Sequence, residues 1–224
     1  MGKAANKLAP QQARSRESLG KLLKAAVEVL GQQGVAGTTI PRIAAHAGLT
    51  PGAVYRRFRN KDVLLETAIL RILEDQNKLL LLSLPVEVAA EIPLSRLTEQ
   101  LINSLVVSSR VNSRLLRAVR QFLQQKEGSA FWKKASKLEM RTIAYLADLF
   151  AAHATEIKHE NPRAAAAFGL MMVNGCLWEI VLNPGDTKFW KGLLPHDDRT
   201  LKLELTRAFL NYMGVERKAT RQAC

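Results

Sequence analysis

The 224-residue chain is 47% hydrophobic and 24% charged, a balance that excludes wholesale disorder and leaves ample material for a core. Its 33 Lys and Arg against 20 Asp and Glu leave +13, which favours a polyanionic partner, either nucleic acid or an anionic membrane surface. Cys176 and Cys224 are too few for a disulfide framework and fit a reducing compartment. Residues 1–20 lack the apolar stretch of a signal peptide. The longest nearly uncharged run, Ala164 to Trp178, is 15 residues, short of the roughly 20 that span a bilayer. A soluble, cytoplasmic protein with no membrane partner is expected.

Residues 1–14 show no helical period and are expected to form a flexible basic arm. From Leu19 the apolar positions Leu22, Leu23, Ala26, Val27 and Leu30 recur at helical spacing, with Ser15 as N-cap and Gly31 and Gly34 as exit signals. Thr38-Thr39 opens a short helix holding Ile40, Ile43 and Ala44, and Pro41 falls in its first turn, where an N–H has no partner anyway. Gly48-Leu49 makes a turn. Thr50-Pro51 then caps a helix of barely two turns, Gly52 to Phe58. Asn60 caps the next, with Leu64, Leu65, Ala68, Ile69, Ile72 and Leu73 as its stripe, reaching Leu82 before Pro85. Further helices are predicted near 94–109, 113–126, 129–157, 162–182 and 198–213, so the chain reads as all-α.

The charge is uneven. Eleven Lys and Arg against three acids give residues 1–62 a net charge of +8, while 22 against 17 give the other 162 residues +5. A DNA-binding head is therefore assigned to 15–62, a ligand-binding and dimerisation domain to 63–215, and a basic tail to 216–224. An amphipathic helix followed by two short helices joined at a glycine turn is a helix-turn-helix. Small residues at the start of the second short helix, Gly52 and Ala53, let it press into a major groove, with Thr50 and the Tyr55 hydroxyl donating to phosphate. Arg56 or Arg57 can reach a guanine edge or a phosphate, and Lys61 a phosphate. The head's core is predicted at Leu22, Ala26, Leu30, Ile40, Ile43, Ala47, Leu49, Val54 and Phe58, with His46 a polar residue at a helix end.

The stretch Thr38 to Lys61, with Thr38-Thr39, Ile43-Ala44, Ala47-Gly48, Leu49-Thr50, Gly52, Val54-Tyr55, Phe58 and Lys61, resembles the signature of the tetracycline-repressor (TetR) family over about residues 15–75. The resemblance implies a nine-helix, Ω-shaped homodimer with three DNA-binding helices and a variable body holding a ligand pocket and the dimer interface. It also implies DNA contacts at Thr39, Arg42, Thr50, Pro51, Gly52, Ala53, Tyr55, Arg56 and Lys61. Pro41 and Pro51 depart from the charged and polar residues frequent at those positions, which shifts base reading towards Arg42, Arg56 and Arg57.

In the body, segment 162–182 is apolar almost all round, so it must be covered on every face. With segment 198–213 it would suit a four-helix dimer interface, for which Phe168, Met172, Leu205, Phe209 and Tyr212 are candidates. Candidates to line an effector cavity are Phe122, Trp132, Tyr145, Met171 and Trp178, with Phe131 and Phe150 alongside. Arg110, Arg114 and Arg117 are expected on one helical face, and Cys176 as a buried small hydrophobe. His153, Glu156, His159 and Glu160 have only loose metal-like spacing, so no metal and no cofactor are expected. No phosphate loop, nucleophile elbow or triad supports an enzyme. The sequence thus reads as a homodimeric transcriptional repressor released from a double-stranded, pseudo-palindromic DNA operator by a small-molecule effector. An architectural DNA-binding protein of the same fold, with no effector, is the alternative.

Overall fold

The computed structural model describes residues 5–183, 193–195 and 197–215, the first ten by backbone alone; the expected basic tail lies outside these residues. The described residues contain ten α-helices and no strand. They are α1 (Ala5–Gly37), α2 (Ile40–His46), α3 (Pro51–Tyr55), α4 (Lys61–Ser83), α5 (Val86–Glu91), α6 (Leu94–Val111), α7 (Ser113–Gln125), α8 (Ala130–Ala151), α9 (Pro162–Leu177) and α10 (Asp198–Tyr212). A 3-10 turn lies at Ala154–Glu156 and a π turn at Trp178–Leu182.

The chain divides into two compact units, each with a core of its own. One joins Met1–Asp75 to Arg114–Ser136; the other joins Gln76–Ser113 to Lys137–Cys224. In the first unit α1 buries Leu22, Ala26 and Leu30 against Ile40, Ile43, Val54 and Phe58, seven of the nine predicted core residues; Ala47 and Leu49 are partly covered. The boundary expected after residue 62 lies inside this unit. Leu64, Leu65, Ala68 and Ile69 of α4 complete its core, together with Ala118 and Phe122 of α7 and Phe131 and Ala135 of α8. One face of α1 with the short α2 and α3 has too little apolar surface to close a core alone, and these later segments supply the rest.

The first helix begins earlier than its sequence pattern predicts. Residues 5–14, expected to form a flexible arm, are the first turns of α1. Half of that stretch is Ala and Gln, which are good helix formers, and the helix extends there, through Pro10, where no apolar stripe exists. At the other end Gly34 sits at φ 66°, ψ −179°, breaking the helical run as its exit role requires. The chain also breaks between α6 and α7, where Asn112 leaves helical geometry at φ −101°, ψ 15°. Arg110 therefore stands on α6 and pairs with Asp198 at 2.9 Å, while Arg114 and Arg117 belong to α7; the three do not share one helical face.

The second unit is built on α10, which packs on α6 and α9. Asn161 caps α9 by accepting from the Ala164 N–H at 3.0 Å, and Asp197 caps α10 by accepting from the Thr200 N–H at 2.8 Å. That bond to the Thr200 backbone holds the Asp197 carboxyl below its ordinary range. Gly169 lets α9 approach the ring of Phe209, which in turn meets Phe150 at a centroid distance of 4.8 Å. Leu205 and Phe209, assigned above to a dimer interface, are thus buried inside the protomer. Helical periodicity marks them as apolar without saying which partner covers them.

Met172 and Phe168 remain exposed, and Tyr212 is half-buried beside Phe168. Cys176, expected to be buried, is exposed, because it follows Phe168 and Met172 at four-residue intervals on the outward side of α9. The opposite side, with Ala165, Gly169, Leu170, Val173 and Leu177, is buried. Pro162–Leu182 is long and apolar enough to cross a membrane by length and composition, but this buried side gives it the packing of a core helix. At its end the Asn183 N–H donates to the Trp178 carbonyl at 2.8 Å, five residues back, which makes the last turn a π turn.

Candidate nucleic-acid interface

The site is set by two capped helix starts and one turn. Thr39 is the N-cap of α2, its hydroxyl accepting from the Arg42 N–H at 3.4 Å, and Pro41 lies in the first turn. Gly48 turns the chain with φ 66°, a conformation open to glycine and strained for other residues. Thr50 then caps α3, accepting from the Ala53 N–H at 3.2 Å, with Pro51 as the first helical residue. Val54 anchors α3 in the core, which turns Pro51, Gly52, Tyr55 and Arg56 outward. Tyr55 is 55% exposed. His46 at the end of α2 meets Glu28 of α1 at 2.8 Å, the polar role predicted for it.

The cations differ from one another. Arg56 and Arg57 are both exposed, but Arg57 donates to the Ser15 carbonyl at 3.3 Å and to the Ser15 hydroxyl at 3.4 Å. Arg42 donates to the Gly37 carbonyl at 2.6 Å, and the half-buried Lys61 to the Val35 carbonyl at 3.1 Å. Asn60 caps α4 by accepting from the Val63 N–H at 2.9 Å. Next to Lys61, Asp62 accepts from Lys126 at 2.6 Å, with Glu66 at 3.8 Å from the same ammonium. The Asp62 hydrogen bond holds the Lys126 ammonium above the usual lysine range, against the opposing effect of burial. Sequence reading missed Ser15 and Lys126 as partners, since 42 and 64 residues separate them from the groups they hold.

The effector candidates fall in both units. Phe122 is a core residue of the first, edge-on to Phe131 at 5.6 Å, and Trp132 is half-buried in the same unit. In the second, Tyr145 donates to the Leu84 carbonyl at 2.9 Å, Trp178 is half-buried and Met171 is 57% exposed. His153 is buried between Glu156 and the Ala89 carbonyl, both at 3.1 Å, and His159 accepts from the Asn161 N–H.

Residues 22–68 match the family pattern of bacterial regulatory proteins of the tetR family. That segment, which holds α2 and α3, is of the tetR type. Among curated proteins it is 40% identical over 55 residues to the HTH-type transcriptional regulator BetI 2 of Chromohalobacter salexigens, a match covering 25% of this chain and 27% of that protein. The chain thus matches about a quarter of that relative's length. Solved structures extend the likeness of fold to almost the whole chain. One, described as a TetR-family transcriptional regulator of Mesorhizobium loti, aligns with a TM-score of 0.67 at 17% identity, over 90% of this chain and 97% of that one. The regulator FadR of Bacillus subtilis, in complex with stearoyl-CoA, aligns at 0.59 and 16% identity, over 88% and 98%. The all-α architecture with an N-terminal helix-turn-helix is therefore that of TetR-family transcriptional regulators.

Proposed function

We propose that the chain is a homodimeric transcriptional repressor that binds a pseudo-palindromic DNA operator through α3 and is released by a small-molecule effector. The observation that carries the reading is the exposed Tyr55–Arg56 pair, on a helix capped by Thr50 and seated by Val54, in a segment with a net charge of +8. Such a helix can enter a major groove, where an arginine fork reads guanine and a phenol meets phosphate. Thr39, Thr50, Pro51, Gly52 and Ala53 flank that pair and would meet the backbone or the groove floor.

Dimerisation is supported by the outward side of α9, where Phe168, Met171, Met172 and Cys176 are exposed together. Effector action would follow from differential affinity: a ligand that favours one spacing of the two heads disfavours the spacing the operator needs. The work of this protein would be cytoplasmic and non-enzymatic, as regulation by its named relatives suggests.

Selection of duplexes from a random pool by the purified chain tests the reading. Enriched sequences should be pseudo-palindromes with half-sites about one helical turn apart, or a multiple of it. Stearoyl-CoA, the ligand in the FadR structure, is the first effector to titrate against the selected duplex. A pool that shows no enrichment would remove the operator, and the repressor with it.

A further inference from the structure

The first helix is longer than the core it serves. From Ala5 to Ser15 it adds about 15 Å ahead of Leu19, Leu22 and Leu23, the first of its side chains to join that core. The added stretch has one large apolar residue, Leu8, and so little to bury. It has no acid either. Residues 1–16 hold Lys3, Lys7, Arg14 and Arg16, and the first acid, Glu17, is paired with Lys21 at 2.7 Å. Lys7, Gln11 and Arg14 follow one another at intervals of four and three residues, along one side of a helix. A helix with neither an apolar face nor opposite charges is marginal in water, and a polyanion supplies the missing counter-charge.

Its place in the fold points to the polyanion that α3 meets. Arg57, just beyond α3, donates to the Ser15 carbonyl at 3.3 Å and to the Ser15 hydroxyl at 3.4 Å. The root of the extension therefore lies beside the end of the helix assigned to the major groove. A guanidinium carries five N–H donors, so Arg57 can hold Ser15 and still meet phosphate. From that root, about 15 Å of basic helix matches the span of about four phosphates along one strand.

We propose that residues 5–16 are a second DNA-binding element, a basic helix that lies along the phosphate backbone beside the half-site met by α3, with Lys7 and Arg14 as its phosphate contacts. This rests on the DNA-binding reading above and enlarges the surface that reading gives to DNA. The element adds affinity without adding base preference, since phosphates carry no sequence.

A variant of the full chain lacking residues 2–14 tests this. It keeps Ser15 and every core residue described above, so its urea midpoint should equal that of the wild type. For a random-sequence duplex, the slope of log affinity against log salt should fall by at least about two in this variant, and by about one in Lys7→Gln and in Arg14→Gln. On a duplex selected from a random pool by the wild type, hydroxyl-radical cleavage should reappear over about four nucleotides per half-site, with the sequence preference unchanged. A slope equal to that of the wild type overturns the proposal and leaves the role of α3 standing. An unchanged slope with weaker binding to phosphatidylserine vesicles also overturns it, and assigns the extension to a membrane instead. If the wild type binds no duplex at all, the DNA-binding reading fails and this element falls with it.

Discussion

A hydrogen atom in place of a methyl group decides how closely α9 and α10 approach. A Cβ built on Gly169 would stand 2.7 Å from Cε2 and 2.9 Å from Cδ2 of Phe209, closer than real contacts come. The Phe209 ring is held by Phe150 and is 2% exposed, so it has little room to move aside. Gly169→Ala should therefore destabilise the fold by about 1–3 kcal/mol through overpacking, although alanine is the better helix former. Urea denaturation checks this; a variant as stable as the wild type would mean the ring is mobile. Lys126 offers a second test at this scale. Its folded pKa is raised by the Asp62 bond, so its contribution is complete below the unfolded lysine value of ~10.4 and is lost as pH climbs through the folded value. Lys126→Met should lower the urea midpoint at pH 7, and the gap from wild type should narrow as pH rises past the ordinary lysine range.

At the scale of elements, α3 depends on its cap. Five residues cannot nucleate a helix in water, so α3 exists because Thr50 and Pro51 start it and Val54 buries it. Thr50→Ala should cost about 1 kcal/mol and reduce amide protection in α3 first. Equal loss of protection in α1 would show that the cap serves the whole head instead. Those caps are what made the head legible: Thr39, Thr50 and Asn60, the Gly48 turn and the stop before Pro85 are all local signals, and each stands where its residue type predicts. Less local features were not legible. The first turns of α1 carry no apolar period, and α5 is a six-residue helix between Pro85 and Pro93 with little pattern to show. The arginine partners were hidden for a different reason. Which of Arg56 and Arg57 is engaged depends on where Ser15 comes in space, and spacing along the chain holds no trace of that. Likewise Leu205 and Phe209 differ from Phe168 and Met172 in what covers them, while hydrophobicity alone makes all four look alike.

For the whole molecule, the outward side of α9 bears most directly on the proposed dimer. An obligate interface buries about 2,000 Å² or more and is apolar at its centre. Phe168, Met171, Met172 and Cys176 would form that centre. Met172→Lys places an ammonium there, 37% exposed in the protomer and so harmless to its core. The wild type should sediment as a dimer and this variant as a monomer with an unchanged helical spectrum. Cys176 supplies an independent reading, since a thiol covered by a partner reacts slowly with a disulfide reagent. It should be slow in the wild type and fast in Met172→Lys. A wild type that sediments as a monomer at micromolar concentration would end the dimer.

The π turn after Leu177 bears on how this chain tolerates shortening. A five-residue closure holds one residue more than the α-helical turn it replaces, so Trp178–Leu182 contains slack that α9 proper lacks. Removing one residue from Pro162–Leu177 turns everything beyond it by about 100°, carrying Leu177 out of the core. Removing one residue from Trp178–Leu182 can instead let the π turn close as an α turn, leaving all that precedes it in register. A scan of single-residue deletions read by soluble yield should therefore show a sharp edge: losses across α9, and a narrow window of survivors immediately after it.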